Sequence, residues 1–411
     1  MRGQRQRCAE VAHRLVAVGS QRGGDSGGGQ QRNPLWRRAD IGDNSRMTNT
    51  STLYIGLMSG TSLDGVDGAL ADFGNGTMST LAAAYIPFPA ELRAELMALQ
   101  AAGHNEIERE ALAANQLVKY YAQCVDALLK ESGRQPANIR AVAVHGQTIR
   151  HRPELGFTRQ TNNPALLAEL CGIDVIADFR SRDIAAGGQG APLVPAFHQA
   201  MFGKPGQVRV VANIGGIANI SVLHGDARVT GFDTGPGNVL MDIWIKRQQG
   251  KEYDDNGAWA ATGKEIPGLL ADMLAEPYFV LPAPKSTGRD LFHAEWLDNK
   301  LAAYKNAAPA DIQFTLTRLT AITLASSIEN TETIYICGGG AYNAVLLREL
   351  SAALDNKVKV ESTSALGISP NHVEALAFAW LGYRFNERLA GNLPSVTGAS
   401  GDRILGALYP A

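Results

Sequence analysis

The residues best suited to chemistry fall between Leu53 and Phe73, in LYIGLMSGTSLDGVDGALADF. Ser59, Gly60, Thr61 and Ser62 interrupt an apolar run, and Leu63 and Asp64 lead into Gly65, Val66 and Asp67, where apolar alternation resumes. Glycines let backbone come close to a ligand, and hydroxyls with successive N–H groups can surround an anion. Asp64 and Asp67 would repel a phosphate unless a divalent cation or its bound water lay between. Nucleotide-phosphate binding with a metal is therefore one expectation. A plain polar β-turn is the other, because Ser, Thr, Asp and Gly are also ordinary turn formers.

Further clusters have the composition of a site. His145-Gly146-Gln147-Thr148 follows the apolar run 139–144, at the carboxyl end of a strand, where open α/β sheets place ligands. Gln147 and Thr148 suit sugar hydroxyls, whereas His145 alone reads as a structural histidine or a base. Asp183 stands with Arg180 and Arg182 at the mouth of AAGGQGAPLVP, which is too irregular for a helix or strand and suits a binding loop or a hinge. Asn213-Ile214-Gly215-Gly216 is a second polar glycine turn. Asp233 opens DTGPGN at the expected end of a strand, near the N–H groups of a helix over 239–249, with Asp242 one turn inside. There it suits a general base, and equally a helix cap. Lys285 to Asp290 suits a phosphate or sugar contact, or a solvated turn. Gly338, Gly339 and Gly340, followed by Asn343, would let backbone lie flat against adenine or bring a helix close to the sheet. Glu374, three residues after Asn371, fits a capping box.

A definite run of elements must position these groups. Residues 53–58 and 66–71 read as a β-hairpin. Residues 89–103 and 105–132 read as helices. The second has Asn105 and Glu108 as a capping box, an apolar face at Ile107, Leu112, Leu117, Val118, Tyr121, Val125, Leu128 and Leu129, and Gly133 as its stop. A helix over 163–171 and a strand over 174–177 follow. From Val208 come three strands, VRVVANI, IANISVL and ARVTGFD, then an amphipathic helix over 311–330, a strand over 333–337, and helices over 344–354 and 370–389. Two strand–glycine turn–strand units so far apart imply two related domains facing one another.

Composition narrows the function classes. With 411 residues, 45% hydrophobic and 19% charged, the chain has the length for two cores and the balance of a soluble globular protein. A net charge of −2 supplies no basic field for nucleic acid or an acidic membrane, so small-molecule chemistry is the default. Cys8, Cys124, Cys171 and Cys337 lie far apart without a CxxC pair, which argues against zinc or a disulfide framework and fits a reducing cytosol. Residues 1–46 are Arg-rich, contain GSQRGGDSGGGQQ and lack a periodic apolar face. They are expected to be a disordered extension ahead of a start at Met47, with a transit peptide as the alternative. GAWAATGKE lacks P-loop spacing, and no protein-kinase catalytic loop occurs.

The order of glycine hairpin, strand ending in Asp, second glycine hairpin and GGG before a helix resembles the actin, hexokinase and heat-shock chaperone superfamily. Within it, MSGTSLDGVD, HGQTIRHRP, DFRSRDIAAGGQGAPLVPAFH, NIGGIANI, FDTGPGNVLMD, KSTGR and CGGGAYN together resemble anhydro-N-acetylmuramic acid kinase over residues 53–411. The resemblance implies an α/β fold of two ribonuclease-H-like domains, mixed sheets flanked by helices, with ATP in the cleft between them. It implies domains over 47–184 and 185–370, with 371–411 returning to the first. It further implies a cytoplasmic, homodimeric enzyme of peptidoglycan recycling and amino-sugar catabolism, converting 1,6-anhydro-N-acetylmuramic acid, ATP and water to N-acetylmuramic acid 6-phosphate and ADP.

Carried over by position, Gly60, Thr61, Ser62, Leu63, Asp64, Gly65, Val66 and Asp67 would hold the nucleotide phosphates with Mg²⁺, Asp64 reaching the metal through water. Asn213, Gly215 and Gly216 would form the second phosphate turn, and Gly338, Gly339, Gly340 and Asn343 would receive the adenosine. Asp233 would be the base that activates water, and Gln147, Thr148, Asp183 and Glu374 would face the sugar. In related sugar kinases the base precedes the second phosphate turn, as Asp183 does, which makes Asp183 the alternative base. An ordinary sugar kinase without the hydrolytic step, and an actin- or chaperone-like ATPase closing on a protein, are the competing readings.

Overall fold

Two sheets repeat one strand order. A computed structural model describes residues 50–60, 62–288 and 290–411, so the expectations for the extension 1–46, the start at Met47, Thr61 and Arg289 lie outside the described residues. In chain order come β1 (Leu53–Met58), β2 (Gly65–Asp72), β3 (Ser79–Pro87), β4 (Ala141–Val144), β5 (Gln147–Arg152), β6 (Phe157–Thr161) and β7 (Val175–Ala177). Then come β8 (Arg209–Ile214), β9 (Ile217–Leu223), β10 (Val229–Pro236), β11 (Thr333–Cys337), β12 (Lys359–Ser362) and β13 (Ala407–Tyr409). One sheet runs β13-β7-β4-β1-β2-β3 and the other β10-β9-β8-β11-β12, while β5 and β6 pair as a separate ribbon. In both sheets the first three strands form an antiparallel meander, and two parallel strands extend from the other side of the first. This is the ribonuclease-H-like order, present twice.

Burial on both faces explains the near-continuous apolar runs of the central strands. All four residues of β4 are buried, as are all but the last of β1. The helix Glu106–Ser132 covers one face of the first sheet with Leu117, Val118, Tyr121, Val125 and Leu128. Leu112 lies one residue off that stripe and is exposed, as is Ile107 in the first turn. The expected capping box is absent. Asn105 sits in the left-handed region, and its Nδ2 donates to Glu108 Oε2 at 2.7 Å, with no side-chain bond to the helix N–H groups.

The helix Val373–Asn386 covers the other face of that sheet, and Gly56 allows the approach: a Cβ there would lie 1.9 Å from the Ala375 carbonyl oxygen. The expected amphipathic helix over 311–330 is the helix Pro309–Ala325, buried nearly all round. Thr315 and Thr317 look polar in sequence but satisfy themselves locally, Thr315 Oγ1 donating to Asp311 O at 2.7 Å and Thr317 Oγ1 to Gln313 O at 3.0 Å.

Candidate active site

The first glycine turn is held from beneath. Ser59 Oγ lies 2.7 Å from Tyr121 Oη and donates to Gly146 O at 3.3 Å, and Gln147 Nε2 donates to Gly60 O at 3.0 Å. Gln147 therefore shapes the turn, while its Oε1 is buried without a partner among the described residues. Thr148 is taken up by the ribbon, its Oγ1 accepting from Gln160 Nε2 at 3.1 Å. His145 Nε2 accepts from Arg180 Nε at 3.0 Å and Nη2 at 2.8 Å. Burial and the adjacent guanidinium keep this imidazole neutral, well below its ordinary range.

Leu63 and Val66 are core residues that anchor the turn, with Leu63 in the left-handed region. Between them Asp64 is exposed, and its Oδ1 accepts from Ser62 Oγ at 2.5 Å. Asp67 is partly buried and pushed up to about 7, first by burial and then by the charges of Asp64 and Glu374.

The second and third glycine turns meet this acid cluster at Asn213. Its Nδ2 donates to Glu374 Oε1 at 3.3 Å. Glu374 is thus no helix cap, since His372 precedes that helix and makes no side-chain cap bond. Its acidity is weakened by burial, against the opposing pull of Arg180 and Asn213. Gly338 packs on the same side chain: at φ 76° and ψ −179° a Cβ would lie 2.4 Å from Asn213 Oδ1 and 2.8 Å from Ile214 O. Gly215 O and Gly216 O accept the N–H groups of Asn238 and Gly237, so the second turn is bonded to the start of the helix Val239–Gln249. Gly340 packs on Ile214, and Asn343 Oδ1 caps the helix Ala344–Ala353 by accepting from Leu346 N at 3.0 Å. Gly339 and Asn343, with Asp64, Asn238, Asp242 and the missed segment Tyr253 to Asn256, line a cavity of about 500 Å³.

Asp233 is neither at a strand end nor a cap. It lies within β10, just before a bulge, opposite Asn219 of β9, which is itself opposite Asn213 of β8. Directly opposed residues of antiparallel strands share a face, so Asn213, Asn219 and Asp233 form one polar row across the sheet. Nothing in the sequence marked Asn219 for this row except its alternation within IANISVL. The Asp233 Oδ2 accepts from Ser286 Oγ at 2.9 Å and Thr287 N at 3.0 Å. Burial raises its pKa above the ordinary carboxylate range, and these two donors oppose the rise.

Asp183 is committed elsewhere. Fully buried in the short helix Ser181–Ala185, it accepts from Gly190 N at 2.8 Å, Asn392 Nδ2 at 2.7 Å and Thr397 Oγ1 at 2.8 Å. It pins the glycine-rich loop to the C-terminal segment, leaving little room on the carboxylate for a proton in flight.

A family model described as anhydro-N-acetylmuramic acid kinase matches residues 52–411. A Burkholderia cenocepacia protein named anhydro-N-acetylmuramic acid kinase is 56% identical over 367 residues, covering 87% of this chain and 96% of its own. A Cupriavidus pinatubonensis protein of the same name is 55% identical over 368 residues, covering 87% and 98%. Among solved structures, the activator of the 2-hydroxyisocaproyl-CoA dehydratase from Clostridium difficile has a TM-score of 0.45 at 13% identity, covering 82% of this chain and 95% of that one. A ROK hexokinase from Thermus thermophilus has 0.38 at 15%, covering 80% and 99%.

Proposed function

Because the chain belongs to the anhydro-N-acetylmuramic acid kinase family, we propose a division of labour among the residues of its site. The enzyme is an ATP-dependent phosphotransferase with an alcohol acceptor. It opens 1,6-anhydro-N-acetylmuramic acid with water and phosphorylates the freed oxygen, in cell-wall recycling. Gly60, Ser62 and Gly65, with Thr61 of the same turn, grip the phosphates from one sheet. Asn213, Gly215 and Gly216 grip them from the other, and the cavity beside Gly339 and Asn343 takes the nucleoside. Asp233 accepts a proton from the water that attacks the anomeric carbon, and Glu374 and Gln147 face the sugar. Asp183 supports the site by fixing its loop.

The donor set fits Mg²⁺. Asp64 and Glu374 both repel Asp67, and a divalent cation would relieve that repulsion. Among the described residues no three His, Cys, Asp or Glu side chains stand at ligand spacing, so water and phosphate oxygens would have to supply most of its ligands. Bound there, it would neutralise charge on the transferring phosphoryl group.

The observation that carries this reading is the polar row, which sets Asp233 on the same sheet face as the Asn213 turn that touches Glu374 and Gly338. Turnover in H₂¹⁸O should label the anomeric hydroxyl of the initial product, and Asp233→Asn should bind ATP while losing about 10²- to 10⁴-fold in rate. Unlabelled product, or near-normal turnover of the variant, would refute it. We also propose lobes over 47–184 and 185–370 with 371–411 returning to the first. Pairing of β13 with β7 and packing of Val373–Asn386 on the first sheet support that return. No helix among the described residues is long and apolar enough to cross a membrane, and a cytoplasmic homodimer is the proposed setting.

A further inference from the structure

The segment after Pro284 reads in sequence as a solvated turn, yet it wraps one residue. Asp233 N donates to Lys285 O at 3.1 Å, Tyr278 Oη donates to Asp233 O at 2.6 Å, and the carboxylate receives Ser286 Oγ and Thr287 N. Lys285 closes the base of the segment by donating Nζ to Tyr278 O at 3.2 Å and Phe279 O at 2.9 Å. Both carboxylate bonds fall on Oδ2. Among the described residues Oδ1 carries none, and the Thr287 Oγ1 is buried without a partner although its own N–H touches the carboxylate. A buried hydroxyl unpaired among the described residues leaves a hydrogen bond open to a bound group.

We propose that Ser286 and Thr287 are positioning residues of the reaction: they hold Oδ2 so that Oδ1 faces the attacking water, and the Thr287 hydroxyl contacts that water. The inference rests on Asp233 being the base. Water gives one proton to Oδ1 while its oxygen bonds to the anomeric carbon. The electron pair of the broken bond between that carbon and O6 passes to O6, which takes the γ-phosphoryl group of ATP. Two donors on an ionised carboxylate favour the charged form and so oppose the rise that burial causes. The titratable groups beside it are Tyr278, itself held protonated by burial and by the charge of Asp233, and Lys285, whose ammonium is turned to the Tyr278 ring and the two carbonyls. From the helices that also pack on β10, no charged group acts on this carboxyl among the described residues.

The test compares pH profiles of kcat/KM for the full-length enzyme with ATP and the anhydro sugar. Ser286→Ala should lower kcat roughly 10- to 100-fold, the equivalent of one hydrogen bond to a charged group, with little change in either KM. It should also move the acidic limb to higher pH, and Ser286→Thr should restore both. Thr287→Val should lower kcat without moving that limb, and Thr287→Ser should be near normal. An unmoved limb in Ser286→Ala, beside an inactive Asp233→Asn, overturns the positioning role and leaves Asp233 as base. Normal turnover of Asp233→Asn overturns the base itself.

Discussion

Replacing Gly338 by alanine should cost both stability and nucleotide affinity, and the structure sets the size of each. The backbone there is extended with positive φ, a region open essentially to glycine alone, and a side chain held in it costs about 1–3 kcal/mol. The added Cβ would also lie 2.8 Å from the Ile214 carbonyl oxygen, an immovable backbone atom, and 2.4 Å from Asn213 Oδ1. Overpacking of that kind costs about 1–3 kcal/mol more. A total near 4 kcal/mol lowers the melting temperature by about 5 °C in a chain of this size. The same clash displaces Asn213, proposed to hold a phosphate, so KM for ATP should rise by about tenfold, the equivalent of one lost hydrogen bond to a charged group. Gly339→Ala is the internal control, because its Cβ meets only Asn238 Nδ2 at 3.6 Å, and its melting should stay within about 0.5 kcal/mol of the parent. Differential scanning calorimetry beside ATP titration of initial rates separates the two effects. Equal behaviour of the two variants would refute the claim that Gly338 is wedged against Asn213.

Other perturbations follow from the packing. Gly56→Ala sets a Cβ 1.9 Å from Ala375 O and 2.5 Å from Ala379 N, so it should abolish soluble expression or cost more than about 3 kcal/mol in urea unfolding; parental stability would show that the helix is not seated there. His198 is buried, its Nδ1 2.9 Å from Ser221 Oγ, and burial pushes it down to about 3. The unfolded histidine takes a proton below about pH 6.5 and the folded one does not until about 3, so stability should fall as pH drops through that window, at up to about 1.4 kcal/mol per pH unit. His198→Gln should flatten the slope of unfolding free energy against pH, and an unchanged slope would place the titration elsewhere. Asp183→Asn turns one of its acceptors into a donor facing donors and should destabilise by about 2–4 kcal/mol while the folded enzyme keeps kcat within a few-fold. Intact melting with collapsed kcat would instead make Asp183 the base.

Much of the scaffold could be read from periodicity, since β1, β2 and β8 to β10 alternate or run apolar as half- or fully buried strands do. The β5–β6 ribbon escaped because QTIRHR and FTRQT are mostly polar, with Ile149 and Phe157 their only large apolar side chains. Both expected capping boxes failed: Glu374 was drawn to a tertiary partner, Asn213, while Asn105 bonds locally to the Glu108 side chain in place of a helix N–H. The glycine turns were legible because backbone close approach demands glycine. Asp233 was legible as an acid of interest but not as a mid-strand residue, since a bulge in the pairing of β9 with β10 leaves no local trace. The sequence of Ser286 and Thr287 suits a phosphate or sugar contact or a solvated turn and does not show their bond to Asp233, because that partner is more than fifty residues away.

The repeated strand order has a consequence for how acids can be distributed. Across β1, β2 and β3 the mutually opposed residues are Met58, Asp67 and Tyr85, and the equivalent positions across β8, β9 and β10 hold Asn213, Asn219 and Asp233. One half carries its carboxylate on the middle strand and the other on the outermost, with neutral groups at the reciprocal places. The two acids therefore answer to separate surroundings: the charges of Asp64 and Glu374 act on Asp67, whereas only burial and the donors Ser286 and Thr287 act on Asp233.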